Sequence, residues 1–251
     1  MKTLIAIMTC QRPEYFGKAL AQWFTWVPDV SHYPEVDVVF FTGRRAAFVN
    51  TVFETVALDA PDDYRGIPLK VLAMLKWSAA RDYGRTIKLD DDVYVVPSRF
   101  PNLLTSLDYV GRFRGPHGGY PAYFASGFAY TLSRRAVEIV ASTPWNQDWM
   151  DERFVANALA ARGIFGFSDE ANYRVSGPHT LPHVIPHSQH AKGTVFCEYF
   201  PKELYELHRI MKNAPPTNFA DAKPMPPVII SPEQLAAPPR DNPPIGKVYR
   251  Q

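Results

Sequence analysis

At 251 residues, with 46% hydrophobic and 21% charged side chains, the chain is long and apolar enough to bury one substantial core. Its formal net charge of +2 is too small to announce a nucleic-acid or membrane-surface partner. Cys10 and Cys197 are the only cysteines, which excludes a disulfide framework and a zinc ribbon, and no stretch has the roughly 18 apolar residues of a membrane span.

In chain order, "TLIAIMTC" (3–10) reads as a buried strand and not a leader, because Gln11, Arg12 and Pro13 stop its short apolar run. "RPEYFGKALAQWFTWV" (12–27) reads as a helix with Pro13 in its first turn. "VDVVFFTG" (36–43) is a second strand closed by Gly43, and "LKVLAMLKWSAARDY" (69–83) has the spacing of an amphipathic helix. "TIKLDDDVYVV" (86–96) is the next strand, rich in β-branched residues. Alternation of this kind predicts an α/β fold, a mainly parallel Rossmann-like sheet covered by helices. Ligands then sit at the carboxyl ends of the strands, where "TCQR", "TGRR" and "DDD" fall. Trp23, Trp26 and Trp77 read as core. From residue 214 the composition changes, and the last 38 residues hold ten of the 24 prolines. A domain over 1–213 and a Pro-rich extended tail over 214–251 are expected, with "PVII" (227–230) as the part that docks.

The chemical signal is the triplet Asp90, Asp91 and Asp92 in an otherwise apolar strand. Adjacent anions repel one another and lose hydration on burial, so positive charge must meet them. Hard oxygen ligands suit Mg²⁺ or Mn²⁺, which bridge carboxylates to a diphosphate. Strand alternation would separate Asp91 from Asp90 and Asp92, whereas a turn would bring Asp91 and Asp92 together. An acidic strand end paired with Lys88 and Arg85 is the plainer account. The calcium-loop pattern is absent. An aspartyl-phosphate phosphohydrolase, with Asp90 as nucleophile, Asp92 as acid/base and "SDE" (168–170) as acidic pair, is a rival reading. A non-catalytic sugar-nucleotide or glycan-binding module is another.

The stretch "DDYRGIPLKVLAMLKWSAARDYGRTIKLDDDVYV" (62–95) resembles the β-1,3-galactosyltransferase and Fringe group of glycosyltransferases. The matching residues are Asp62 or Asp63 with Tyr64, then Lys70, Trp77 and Lys88 to Val93. "YPAYFASGFAYTLSRRAV" (120–137) and "DERFVANALAARGI" (151–164) continue the likeness in the same order. It spans about residues 3–200 and leaves the tail out. The resemblance implies a nucleotide-sugar-binding GT-A fold, a UDP-sugar held through Mn²⁺ or Mg²⁺, and inversion at the anomeric carbon.

By the same resemblance Asp92 is the metal ligand, Asp91 its neighbouring support, and Asp90 the carboxylate nearer the ribose. Glu152 aligns with the general base, with Asp151 as the fallback; helix-start carboxylates favourable to the dipole are the plainer account. His187, then His190, would complete the metal site; His179 and His183 are the other members of that cluster. Thr9, Gln11 and Arg12 would face uracil or diphosphate, Lys70 belongs to the donor side, and Arg44, Arg45 and Lys192 would offset phosphate charge. Ser126 and Gly127 would contact the sugar through their backbone. The group's membrane anchor and luminal cysteines are missing, with Phe124 and Ala125 where a Cys is often found. That implies a cytoplasmic protein of bacterial or viral type, whose acceptor is a glycan, a protein or a modified base in nucleic acid.

Overall fold

The computed structural model describes residues 1–44, 52–114, 123–146, 148, 150–175, 195–197, 201–213 and 223–224. In chain order the elements are β1 (Thr3–Met8), α1 (Pro13–Trp23), α2 (Trp26–Ser31), β2 (Val36–Thr42), β3 (Thr55–Ala57), α3 (Ile67–Ala79), β4 (Arg85–Asp90) and β5 (Tyr94–Val95). A 3₁₀ helix at Pro97–Leu103 leads to β6 (Tyr109–Arg114), β7 (Phe124–Ser133), α4 (Arg134–Ser142) and α5 (Asp151–Ala160). Then come β8 (Phe167–Ser168), β9 (Tyr173–Val175), β10 (Val195–Cys197), α6 (Pro201–Met211) and β11 (Lys223–Pro224).

Among the described residues, eight strands form one sheet in the order β11-β8-β6-β7-β4-β1-β2-β3. β4, β1, β2 and β3 are parallel, β7 runs against both β4 and β6, and β8 is parallel to β6. The mainly parallel sheet is therefore present, with β7 and β11 as its reversed members. Alternation along β1 explains the layers: Ile5 and Ile7 join the core under α1, α2 and α6, while Leu4, Ala6 and Met8 join the core under α3, α4 and α5. Every β1 side chain is buried, as a strand covered on both faces requires. A second sheet, β5-β10-β9, lies beyond the end of β4.

Two sequence expectations change in detail. The helix expected over 12–27 is two helices, because the chain turns at Phe24 and Thr25. Thr25 bonds back to the Ala21 carbonyl at 2.6 Å, and the turn sends Trp26 into the core, where its indole donates to the Val93 carbonyl at 3.1 Å. The strand expected over 86–96 stops at Asp90; Asp91 and Asp92 form a turn, and the chain re-enters strand as β5 in the other sheet. A turn lets three neighbouring carboxylates diverge toward different partners, which a straight strand does not. In the tail, Lys223 and Pro224 pair with β8 at the sheet edge, and "PVII" lies outside the described residues.

Candidate active site

The parallel register β1–β4 sets Met8 beside Asp90, so the residues just beyond both strands, Thr9 and Asp91, face each other. The Thr9 hydroxyl donates to Asp91 Oδ2 at 2.8 Å. Beside them opens a cleft of about 300 Å³ whose lining includes Thr9, Arg12, Lys70, Asp90, Asp91 and Asp92. Six residues expected on the donor side thus share one cavity at the carboxyl edge of the sheet.

Each carboxylate of the triplet has its own partner. Asp90 Oδ1 accepts from Lys88 Nζ at 2.6 Å, and Asp92 Oδ2 meets Lys18 Nζ at 3.3 Å. Asp91 is buried with the Thr9 hydroxyl. Burial first, then the Asp92 charge, pushes the Asp91 carboxyl up to about 8, against the pull of Lys18. Asp90 is pushed up to about 6 by loss of solvation and by Asp92, with Lys88 acting in the opposite direction. Burial works against the Lys18 charge, but Asp92 and Asp91 outweigh it and leave its ammonium above the ordinary value. Arg85, the other cation proposed for the triplet, lies at the far end of β4 and donates to the Leu107 carbonyl at 3.3 Å.

Lys88 links this edge to the acidic pair. Its fully buried ammonium bonds Asp90 and the Gly127 carbonyl and lies 4.0 Å from Asp151 Oδ2. Desolvation disfavours that charge, yet Asp90 and Asp151 overcome it and bind the Lys88 proton more tightly than usual. Asp151 also accepts from the Tyr130 hydroxyl at 3.2 Å. Glu152 lies against the α-carbon of Gly127, where a β-carbon would stand 3.3 Å from Glu152 Oε1, so glycine gives the carboxyl its room. Burial and the adjoining Asp151 raise the Glu152 carboxyl well above its ordinary value. The pair is held in place by the buried Arg153–Asp148 ion pair at 2.8 Å, while Asp148 Oδ1 accepts from the Met150 N–H at the start of α5.

The remaining expected residues fall into distinct settings. Lys70 spans α3 and the end of β1: its ammonium bonds the Thr9 carbonyl at 2.7 Å and Asp62 Oδ1 at 3.0 Å. Asp62 also accepts from the Gln11 N–H at 2.8 Å and the Gly43 N–H at 2.7 Å. These donors outweigh the burial that would raise the Asp62 carboxyl, and they hold it below the usual range. Gly43 packs so close to Pro61 and Ala60 that a β-carbon would come within 2.7 Å of their carbonyl oxygens. Arg12 is exposed at the start of α1, and Arg44 pairs with Asp59 at the surface. Ser126 is buried and accepts from Arg114 Nε at 2.9 Å. His179, His183, His187, His190, Arg45 and Lys192 lie outside the described residues. In "SDE", the Asp169 carboxylate folds onto its own turn, taking the Asn172 N–H at 3.0 Å and its side-chain amide at 2.8 Å.

Among the described residues no group of three His, Cys, Asp or Glu side chains is assembled around one metal position. The donor set still fits a hard divalent ion: Asp91 and Asp92 would supply carboxylate oxygens, and the Lys18 ammonium lies beside Asp92 where positive charge is drawn. Sequence reasoning missed Lys18, Asp62 as a clamp, and Tyr130. Lys18 had a readable signal, as a lone cation on the helix directly after the first strand. Asp62 and Tyr130 fall in stretches that carry the resemblance, but the bonds of Asp62 to Gln11 and Gly43 and of Tyr130 to Asp151 join residues 19 or more apart in sequence.

No protein-family model matches the sequence, and no curated protein matches it. Solved structures do. A glycosyltransferase involved in the glycosylation of the major capsid of PBCV-1 is similar with a TM-score of 0.50 at 15% identity, over 82% of this chain and 98% of that one. Galactosyltransferase LgtC, solved in complex with donor and acceptor sugar analogs, has a TM-score of 0.48 at 13% identity, over 84% and 97% of the two chains. The architecture is the GT-A glycosyltransferase fold, as the first of these shows. The likeness is one of fold. No helix of the described residues is long and apolar enough to cross a membrane.

Proposed function

We propose that the chain is a metal-dependent, inverting glycosyltransferase of the β-1,3-galactosyltransferase and Fringe type, moving a sugar from a UDP-sugar to an acceptor hydroxyl. The observation that carries this reading is the meeting of the two carboxylate groups: Lys88 and Gly127 join the triplet at the cleft to the acidic pair of α5. Asp92 and Asp91 would hold Mn²⁺ or Mg²⁺, which when bound neutralises charge on the departing diphosphate. Thr9 fixes Asp91, and Lys88 fixes Asp90 at the cleft wall. Glu152 takes the proton of the acceptor hydroxyl as its oxygen bonds to the anomeric carbon and the bond to the diphosphate breaks. One displacement without a glycosyl-enzyme inverts the centre. The raised carboxyl suits this role, since a stronger base accepts a hydroxyl proton more readily.

The acceptor is a hydroxyl of a glycan, a protein or a modified nucleobase. Cys10 is a free thiol, which fits a cytoplasmic setting. The deciding experiment is thermal stabilisation by UDP with and without Mn²⁺, followed by a screen of UDP-sugars for slow hydrolysis. Stabilisation only with both, together with sugar release, supports transfer. Phosphate release from phosphomonoesters through an acid-stable Asp90 intermediate would favour the phosphohydrolase, and donor binding without turnover would favour a binding module.

A further inference from the structure

Three lysine ammonium groups stand around the triplet, and they differ in how deeply they are buried. Lys88 has a side chain 2% exposed and is shared among Asp90, the Gly127 carbonyl and Asp151. Lys70 is 4% exposed and bonded to Asp62 and the Thr9 carbonyl. Lys18 lies on the cleft wall with 19% of its side chain exposed, and its contact with Asp92, at 3.3 Å, is the longest of the three principal pairings. Its ammonium also sits 5.5 Å from the centre of the Tyr15 ring. The first two are built into the fold, and the third sits at a rim on a flexible four-carbon stem.

We propose that Lys18 exchanges places with the divalent cation: it pairs with Asp92 in the unliganded chain and moves onto the donor's diphosphate when the cation takes Asp92. The idea rests on the proposed donor site and deepens it. A divalent ion arriving at Asp92 repels the ammonium that stands 3.3 Å from the same carboxylate and competes with it for those oxygens, which pushes the ammonium away. A diphosphate brings new negative charge into the same cleft, and a lysine is well suited to meet it as a point charge. Lys18 is then a competitor toward the ion and a ligand toward the nucleotide. One substitution should therefore move two affinities in opposite directions.

Calorimetric titration of the full chain with Mn²⁺ alone, and with UDP at saturating Mn²⁺, tests this. Lys18→Met should tighten binding of Mn²⁺ alone by about two- to fivefold, the range for losing a partly exposed ion pair. The same variant should weaken UDP binding by about tenfold or more, as expected for a lost charge-assisted contact. Lys18→Arg keeps the charge and should stay near the parent in both titrations. Lys18→Gln serves in place of Met should the Met variant fail to fold. Unchanged or weaker Mn²⁺ binding in a folded neutral variant overturns the exchange, and so does unchanged UDP binding. A parent chain that shows no Mn²⁺-dependent UDP binding overturns the donor-site reading itself, a separate and recognisable result.

Discussion

Glu152 and Asp92 divide the chemistry between them, and single substitutions should pull the two roles apart. Burial and the neighbouring Asp151 hold the Glu152 carboxyl well above the ordinary value, so acid keeps it protonated and unable to accept a proton. Transfer should therefore rise with pH along a limb displaced upward from the usual carboxylate range. Glu152→Gln should lower transfer by roughly 10²–10⁴-fold, the range for losing a general base, and erase that limb. UDP–Mn²⁺ affinity should be nearly unchanged, because the donor contacts lie at the triplet. Asp151→Asn should cost much less and move the limb to lower pH, since it removes the charge that helps raise Glu152. If Asp151→Asn is the inactive variant, the base shifts by one residue; if both transfer at the parent rate, the pair is only a helix start. Asp92→Ala should show the reverse pattern, losing Mn²⁺-dependent UDP binding with a normal circular dichroism spectrum. Retained metal-dependent UDP affinity would remove Asp92 from the metal site.

At the scale of elements, the cleft depends on a clamp among β1, β2 and α3. Asp62 receives N–H groups from Gln11 and Gly43 and pairs with Lys70, so one buried carboxylate ties the ends of two strands to a helix. Lys70→Met leaves that carboxylate buried without its cation and should cost about 3–5 kcal/mol in urea unfolding. A loss below about 1 kcal/mol would show that the two N–H donors suffice and that Lys70 is available to a ligand. These elements were largely legible in the sequence: β1, β2, α3 and β4 announce themselves by apolar runs and helical spacing, and strand ends locate the cleft. The break between α1 and α2 was not legible, because helical spacing continues through Phe24 and Thr25 and only the burial of Trp26 forces the turn. β7 reads as any strand does, but its reversal between β4 and β6 is a pairing choice made far away in sequence. Lys70 could be placed beside the donor by likeness, whereas its bond to Asp62 needed the folded chain, because sequence spacing does not say which way either side chain turns.

The molecule as a whole carries its crowded carboxylates at one edge of the sheet, and that arrangement should govern how stability responds to pH. Asp91 at about 8, Asp90 at about 6 and the raised Glu152 all bind a proton more tightly folded than unfolded. Between the unfolded carboxylate value near 4 and these folded values, the native state holds more protons, so stability falls as pH rises. Each such group contributes a slope of up to about 1.4 kcal/mol per pH unit. His208, lowered by burial, acts in the opposite sense below its unfolded value of about 6.5, and Asp62 and Asp37, lowered by their partners, act only below about pH 4. Comparing a variant with the parent cancels those contributions. Asp91→Asn removes the Asp91 titration and keeps a side chain able to accept from Thr9. Its Tm should fall less steeply than the parent's between about pH 4 and 8, and it should be the more stable of the two at pH 8. Mn²⁺ should stabilise the parent more at pH 8 than at pH 5, since the ion must displace the same protons. Parallel Tm–pH curves for parent and Asp91→Asn would mean that Asp91 is not strained by its surroundings, and the crowding at the strand end would then be relieved by Lys18 and Lys88 alone.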